Sequence, residues 1–485
     1  MTITPNEEQR AILAAANDTT NNLLIEARSG AAKTTTLEML ANALPRPIPT
    51  LCLAFNKQIQ REMEARLPSF VDCKTINALG HRIWMQFCGQ LINLDTKKTY
   101  LEVQKLMNTL DPEEKEEFFE EHYQDMMELV ATAKHNGYVP TSVGGYWKSR
   151  CTIDALLAGF HTYPTDMMQI WLDKIITRSL ADAQQGRIDY DDQIMLPCIA
   201  PVSYPSYKLI YVDEAQDLSP LNHFLLKKVL KKDRLIAVGD PFQAIYAFRG
   251  ADTKSMANME RMFEAKRMGL TINYRCATSI IEAVKWRAPD IQARPDAPEG
   301  LVTYPTFWDA DMIEDGAAII CRNNAPLFRM AIKLLSDGRL PEFRGRDVVV
   351  GLQKLVKKLG KMSIKQAQAL VNLEKWQEKQ LAKTKRKGYI NDQAECLAIF
   401  IKSTDTLGAA YDKLSALASR SGRITLTTGH KAKGLEFDDV FFLDEFLINM
   451  EEEQDQNLSY VIQTRARNRL YMVKTKEYLS EEREV

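Results

Sequence analysis

Eight short runs, each apolar on both faces and each closed by polar residues or glycine, constrain this chain more than any other feature. The first four are Asn22–Glu26, Thr50–Phe55, Lys208–Val212 and Arg234–Val238; the second four are Ala317–Cys321, Arg423–Thr427, Asp439–Leu443 and Arg469–Val473. A strand that buries both faces belongs to a parallel sheet covered by helices, so the pattern predicts an α/β protein. Each group is interrupted. From Gly80 to about Arg187, and again from about Arg344 to Ala418, the spacing turns helical and β-branched runs become scarce. Two parallel-sheet cores, each carrying a mainly helical insertion, follow from this. The expected boundaries are 1–80 with 188–272 for the first core, 81–187 for its insertion, 273–343 with 419–485 for the second core, and 344–418 for the second insertion. A length of 485 residues accommodates such a division.

Composition excludes more than it assigns. With 45% hydrophobic and 26% charged residues, collagen-like and wholly disordered chains are ruled out. No apolar run reaches membrane-spanning length and the first residues lack the pattern of a secretory signal, so an intracellular protein with no membrane partner is expected. Eight scattered cysteines without metal-ligand spacing read as free thiols. The formal charge of −1 conceals opposite patches: Arg344 to Gly388 holds thirteen basic and three acidic residues, whereas Asp111 to Glu128 holds nine acidic residues and one lysine.

Chemistry enters after the first run. The segment Ala27-Arg28-Ser29-Gly30-Ala31-Ala32-Lys33-Thr34-Thr35 follows a strand and opens a helical pattern, the position of a phosphate-binding loop. There, backbone amides at the helix start face phosphates, a lysine (Lys33) reaches the terminal phosphates, and a hydroxyl (Thr34) holds magnesium. Alanine occupies both glycine positions of the pattern, Ala27 and Ala32, and Ala32 puts a methyl where backbone should approach a nucleotide. An ordinary strand-turn-helix is the alternative. Downstream, the run Leu209–Val212 ends in Asp213 and Glu214, which supplies one carboxylate for a magnesium shell and a neighbour to polarise an attacking water.

Further motifs occur in a fixed order: Asn6-Glu7-Glu8-Gln9-Arg10, Ala54-Phe55-Asn56-Lys57, Thr75-Ile76-Asn77-Ala78-Leu79-Gly80, Asp189-Tyr190-Asp191-Asp192, Gly239 to Ala251, Asn273-Tyr274-Arg275, Thr428 to Phe437, and Tyr460 to Ala466. In these the chain resembles the superfamily 1A DNA helicases of the UvrD, Rep and PcrA type, over nearly its full length, and the short basic insertion resembles that of a compact, phage-like member. The resemblance implies two RecA-like P-loop NTPase cores with ATP and Mg2+ as cofactors. It implies that Lys33, Glu214, Gln243, Arg275 and Arg465 act in hydrolysis, with Arg465 as an arginine finger and Gln243 sensing the terminal phosphate. Nucleotide contacts fall on Gln9, Ser29, Gly30, Ala31, Ala32, Lys33, Thr34, Thr35, Tyr274 and Glu436, and magnesium on Thr34 and Asp213. Thr35 stands where the family has a stacking arginine, which leaves adenine to Tyr274 and Gln9.

A motor also needs a grip on its track. Aromatic rings stack on every base, and Phe55, Tyr246, Phe248 and His430 are the candidate rings within the matching motifs, with Asn56, Thr75, Asn77, Arg249 and Lys431 as further contacts. Core packing for Phe55 and a structural role for His430 are the bland alternatives. The basic insertion offers salt-sensitive contacts to duplex phosphates or is a solvated face. The implied partners are single-stranded DNA, single-strand/duplex junctions, and replication or recombination proteins. The expected function is an ATP-dependent DNA helicase moving 3′ to 5′; a translocase that strips proteins without unwinding, and a binding scaffold with an impaired ATPase, are the alternatives.

Overall fold

The computed structural model describes residues 4–18, 21–231, 233–246, 252, 254–382 and 387–479. The chain divides into two compact units. The first comprises Met1–Ala27 with Ala32–Leu270, and the second Arg28–Ala31 with Thr271–Val485. Each is built on a six-stranded, wholly parallel sheet, as the paired apolar runs require.

In the first unit the strands are β1 (Leu23–Ala27), β2 (Thr50–Ala54), β3 (Val71–Thr75), β4 (Leu209–Val212), β5 (Arg234–Gly239) and β6 (Lys266–Leu270). Their spatial order is β3-β2-β4-β5-β1-β6. Ile25 lies opposite Val238 on one side and Met268 on the other. Parallel strands end on the same edge, so the loops after β1, β4 and β5 emerge side by side. That edge is where open α/β sheets place their ligands.

Between β3 and β4 the chain is mainly helical, with Ile76–Cys88, Lys98–Met107, Pro112–Glu121, Tyr123–His135 and Asp166–Gln184 as its longer helices. They share one hydrophobic core with the sheet: Leu53, Trp84, Leu129, Leu172, Ile176 and Ile210 belong to a single cluster. A buried ionic cage locks them in place. Lys98 Nζ donates to Asp192 Oδ2 at 2.6 Å and to the Ser179 carbonyl at 2.8 Å, and Lys134 lies 2.5 Å from Asp189 and 2.9 Å from Asp192. Burial pushes the Asp192 carboxyl up, but Lys134 and Lys98 outweigh it and hold it at about 2. Because that value is depressed, the contribution of Asp192 is present above the ordinary carboxylate range and is lost as pH falls from about 4 towards 2. Asp192→Asn is expected to cost on the order of 3 kcal/mol at neutral pH, by leaving two lysines short of a carboxylate, and to flatten this acid limb. Urea unfolding measured across pH checks both.

The second unit contains β7 (Leu301–Thr303), β8 (Ala318–Cys321), β9 (Pro341–Phe343), β10 (Ile424–Thr428), β11 (Phe437–Leu443) and β12 (Ala466–Val473), in the order β7-β12-β11-β8-β10-β9. Four helices, Arg346–Leu359, Gln366–Leu381, Lys387–Lys402 and Leu407–Ser419, separate β9 from β10. The first buries Val349, Leu352, Leu355, Val356 and Leu359, one face at helical spacing, and leaves its lysines outside. Residues 383–386 of the basic run lie outside the described residues. No helix among the described residues is long and apolar enough to cross a membrane.

Candidate nucleotide and nucleic-acid sites

Two non-glycine residues of the first unit turn left-handed where the argument from sequence placed chemistry. Ala32, just before the helix Lys33–Asn42, has φ 56° and ψ 40°, and Glu214, just after β4, has φ 52° and ψ 44°. Each such residue costs roughly 1–2 kcal/mol, and such strain concentrates at functional sites. At Ala32 the alanine takes up the conformation that the loop's glycine would supply, so the helix start is formed despite the methyl. Its carbonyl accepts from the Thr36 amide at 2.9 Å and the Thr36 hydroxyl at 3.0 Å. Ala32→Gly is therefore expected to keep or improve nucleotide affinity and to leave thermal stability equal or higher; a loss beyond about tenfold in ATP affinity would show that the loop is shaped for the methyl.

The turn at Glu214 carries a connected set of side chains. Lys33 Nζ donates to Glu214 Oε1 at 2.8 Å, and Gln216 Nε2 donates to Glu214 Oε2. Gln216 Oε1 accepts from the Asp240 amide at 3.0 Å, and Asp240 Oδ2 accepts from Gln243 Nε2 at 2.7 Å. Lys33, Glu214, Gln216, Asp240 and Gln243 thus form one chain across the ends of β1, β4 and β5. Gly239 lets this set close, because an added Cβ would sit 2.5 Å from Gln216 Oε1 and displace that side chain. Burial pulls the Lys33 ammonium down, but Glu214 and Asp213 outweigh it and raise it above its ordinary value. Asp213 is raised as well, here because burial and the Glu214 charge disfavour its ionised form and lift its carboxyl to about 7. A carboxylate held at that cost suits a cation, and the oxygen donors of Thr34 and Asp213 are the hard ligands magnesium takes.

Gln9 is buried on the helix Glu7–Asp18, where its amide donates to Thr36 Oγ1 at 3.1 Å and its oxygen accepts from the Asn6 amide. Thr35 Oγ1 accepts from Arg66 at 3.0 Å. Of the expected nucleic-acid contacts, Phe55 and Tyr246 stack with near-parallel planes, 9° apart, at a centroid distance of 5.7 Å. Asn56 and Thr75 cap helices, accepting from the Ile59 and Ala78 amides. Asn77 donates to the Tyr190 carbonyl and to Gln193. Phe248 and Arg249 lie outside the described residues.

Within the second unit, the run Arg28–Ala31 is gripped from several directions. Ser29 Oγ accepts from Arg275 Nη1 and from Arg465 Nη2, each at 3.2 Å, and the Ser29 amide donates to the Tyr460 hydroxyl at 3.0 Å. Asn273 Nδ2 donates to the Ser29 carbonyl at 2.6 Å, and the Gly30 carbonyl accepts from the Tyr274 amide. Arg28 forms a two-pronged pair with Asp290 at 2.7 Å. Gly30 (φ 67°) is indispensable, since a Cβ there would meet Asn273 Nδ2 at 2.5 Å. Asn273, Tyr460, Arg28, Gln216 and Asp240 escaped the reading of individual residues. Only their membership of the motifs pointed to them.

The electrostatics of this cluster favour an anion. Arg465 is buried, and its hydrogen-bond partners among the described residues are neutral oxygens of Val461, Leu435, Ser29 and Thr464. Burial and the neighbouring Arg275 charge pull its guanidinium down to about 10. Arg275 is paired with Glu436 at 2.6 Å, yet its Nε is buried without a partner. A phosphate satisfies both guanidiniums. Tyr274 is 41% exposed. His430 and Lys431 sit on the short helix Gly429–Ala432 after β10, where Lys431 pairs with Asp347.

Comparison with known proteins agrees in order and extent. The model of the UvrD/REP helicase N-terminal domain matches residues 5–264, more than half of the chain, and that of the UvrD-like helicase C-terminal domain matches 423–473. The ATP-dependent DNA helicase PcrA of Staphylococcus aureus is 23% identical over 338 residues, covering 64% of this chain and 44% of that protein. The F-box DNA helicase 1 of Gallus gallus is 26% identical over 341 residues, covering 60% of this chain and 31% of its own length. The ATP-dependent DNA helicase srs2 of Schizosaccharomyces pombe is 37% identical over 100 residues, or 19% and 11%. The chain spans less than half the length of these curated relatives.

Proposed function

Because this chain belongs to the UvrD/REP helicase family, we propose that it hydrolyses ATP and uses the energy to move along single-stranded DNA, 3′ to 5′, separating duplex strands as it goes. The carrying observation is a pair of charge arrangements: carboxylates Asp213 and Glu214 around Lys33, and on Ser29 the guanidinium of Arg465, whose partners among the described residues are neutral, beside that of Arg275, whose Nε is buried without a partner. Phosphoryl transfer to water requires little else than charge stabilisation and positioning, and these groups provide both.

In this reading Lys33 leaves Glu214 for the terminal phosphates, and Glu214, released, orients and polarises the attacking water. Magnesium, held by Thr34 and Asp213, would neutralise phosphate charge. Gln243, tied through Asp240 and Gln216 to Glu214, senses whether the terminal phosphate is present. Arg275 and Arg465 stabilise the charge that builds during transfer, and Glu436, now paired with Arg275, turns to the nucleotide sugar. Gln9 and Tyr274 take the adenine. The domain boundaries read from the sequence follow the same reading: each sheet acts as a nucleotide-handling core, and each helical stretch serves as an insertion that handles DNA.

Bases stack at Phe55 and Tyr246, whose parallel rings form a ready platform, with His430, Lys431 and Asn77 as neighbouring contacts. The test is ATP turnover with and without oligothymidylate, paired with a strand-separation assay. Stimulation by DNA is expected, and Tyr246→Ala should weaken single-strand affinity about tenfold, the worth of one stacked base. Turnover indifferent to DNA would overturn the reading. Stimulated turnover without strand separation would reduce it to a translocase that clears proteins from single strands.

A further inference from the structure

A buried relay in the first unit joins the turn after β4 to Asp252 and to the helix that begins at Ser255, and the nucleotide chemistry leaves it unused. His223, on the helix Pro220–Leu230, contacts Ser255 Oγ through Nε2 at 2.8 Å. Ser255, the first residue of the helix Ser255–Phe263, donates to the Ala215 carbonyl at 2.6 Å. All three residues are fully buried. The proton positions follow from chemistry: a carbonyl can only accept, so the serine proton points at Ala215 and the His223 Nε2–H points at the serine. Burial lowers the His223 pKa although Asp252 lies 3.8 Å from Nδ1, which fits a neutral ring.

Ala215 directly follows Glu214, the left-handed residue whose carboxylate meets Lys33. On the other side, Asp252 donates its amide to the Leu218 carbonyl at 3.0 Å and accepts from the Ser255 amide at 2.9 Å. The turn from Glu214 to Leu218 is therefore stapled twice to Asp252–Ser255, six residues beyond the ring that stacks on Phe55. We propose that His223 and Ser255 are positioning residues that transmit occupation of the Phe55–Tyr246 platform by single-stranded DNA to the orientation of Glu214. Neither side chain touches nucleotide or DNA. They act by holding the Ala215 carbonyl, and with it the backbone of Glu214, to the helix that begins where the DNA-contact segment ends.

The inference rests on the function proposed above. Its test is the stimulation ratio, turnover with oligothymidylate divided by turnover without, in the full chain and in Ser255→Ala, Ser255→Thr, His223→Phe and His223→Gln. Ser255→Ala and His223→Phe should lower the ratio about tenfold, within the usual range of coupling between sites, while KM for ATP stays within about twofold. Ser255→Thr keeps the hydroxyl and His223→Gln keeps an N–H, so both should recover most of the ratio. An unchanged ratio in Ser255→Ala, or equal falls in both rates that threonine does not rescue, overturns the relay and leaves the proposed function standing. An unmodified chain that hydrolyses ATP without responding to DNA overturns the proposed function, and the relay with it.

Discussion

Glu214→Gln is expected to bind ATP at least as tightly as the unmodified protein while losing about 10²–10⁴-fold in turnover, the usual worth of a positioned general base. Two features of the first unit make this a sharp expectation. The carboxylate is held in a left-handed turn and fastened by Gln216, so the amide keeps the geometry and loses the charge. Lys33, relieved of its 2.8 Å partner, then meets the nucleotide phosphates without competition. Nucleotide affinity measured beside single-turnover hydrolysis separates the two effects. Unchanged hydrolysis would remove Glu214 from the chemistry and move the water-polarising role to Asp213.

Arg465→Ala should lose 10³-fold or more in turnover, the scale on which an arginine finger acts. The guanidinium is buried and spread over four acceptors: Nε on the Val461 carbonyl at 2.9 Å, Nη1 on the Leu435 carbonyl at 3.2 Å, and Nη2 on Ser29 Oγ and Thr464 Oγ1, both at 3.2 Å. Truncation also removes the donor that the Leu435 carbonyl has from Arg465 and one of two side-chain donors to the Val461 carbonyl, which keeps the Thr464 hydroxyl, so a stability loss of about 2 kcal/mol is expected alongside the catalytic one. Arg465→Lys distinguishes the causes. It restores charge and much of the volume, but one ammonium cannot reproduce a rigid fork over four acceptors, so stability should largely return and turnover should stay at least tenfold down. If the lysine variant turns over as the native protein does, positive charge alone is required at this position. If the alanine variant does, Arg465 serves the fold.

What the bare sequence determined about this protein is the part encoded in local pattern. All eight apolar runs are strands of the two sheets, because a strand buried on both faces has to be apolar throughout. The helical stretches were equally plain, and the motif order led to the family that the comparisons show. Within the two six-stranded sheets the strands missed were Val71–Thr75, Lys266–Leu270, Leu301–Thr303 and Pro341–Phe343, and these are the edges of those sheets. An edge strand is short or half-exposed and pairs on one side only, so Asp72, Lys74, Lys266 and Arg267 are tolerated and the apolar signal vanishes. The same limit applies to the sites. Lys33, Glu214 and Arg465 stood out because motif chemistry names them. That Gln216 bridges Glu214 to Asp240, and that His223 reaches the Ala215 carbonyl through Ser255, were decided by tertiary structure alone. Hydrogen bonds between residues distant along the chain leave no periodic trace in it, and only folding selects which polar group a buried side chain will meet.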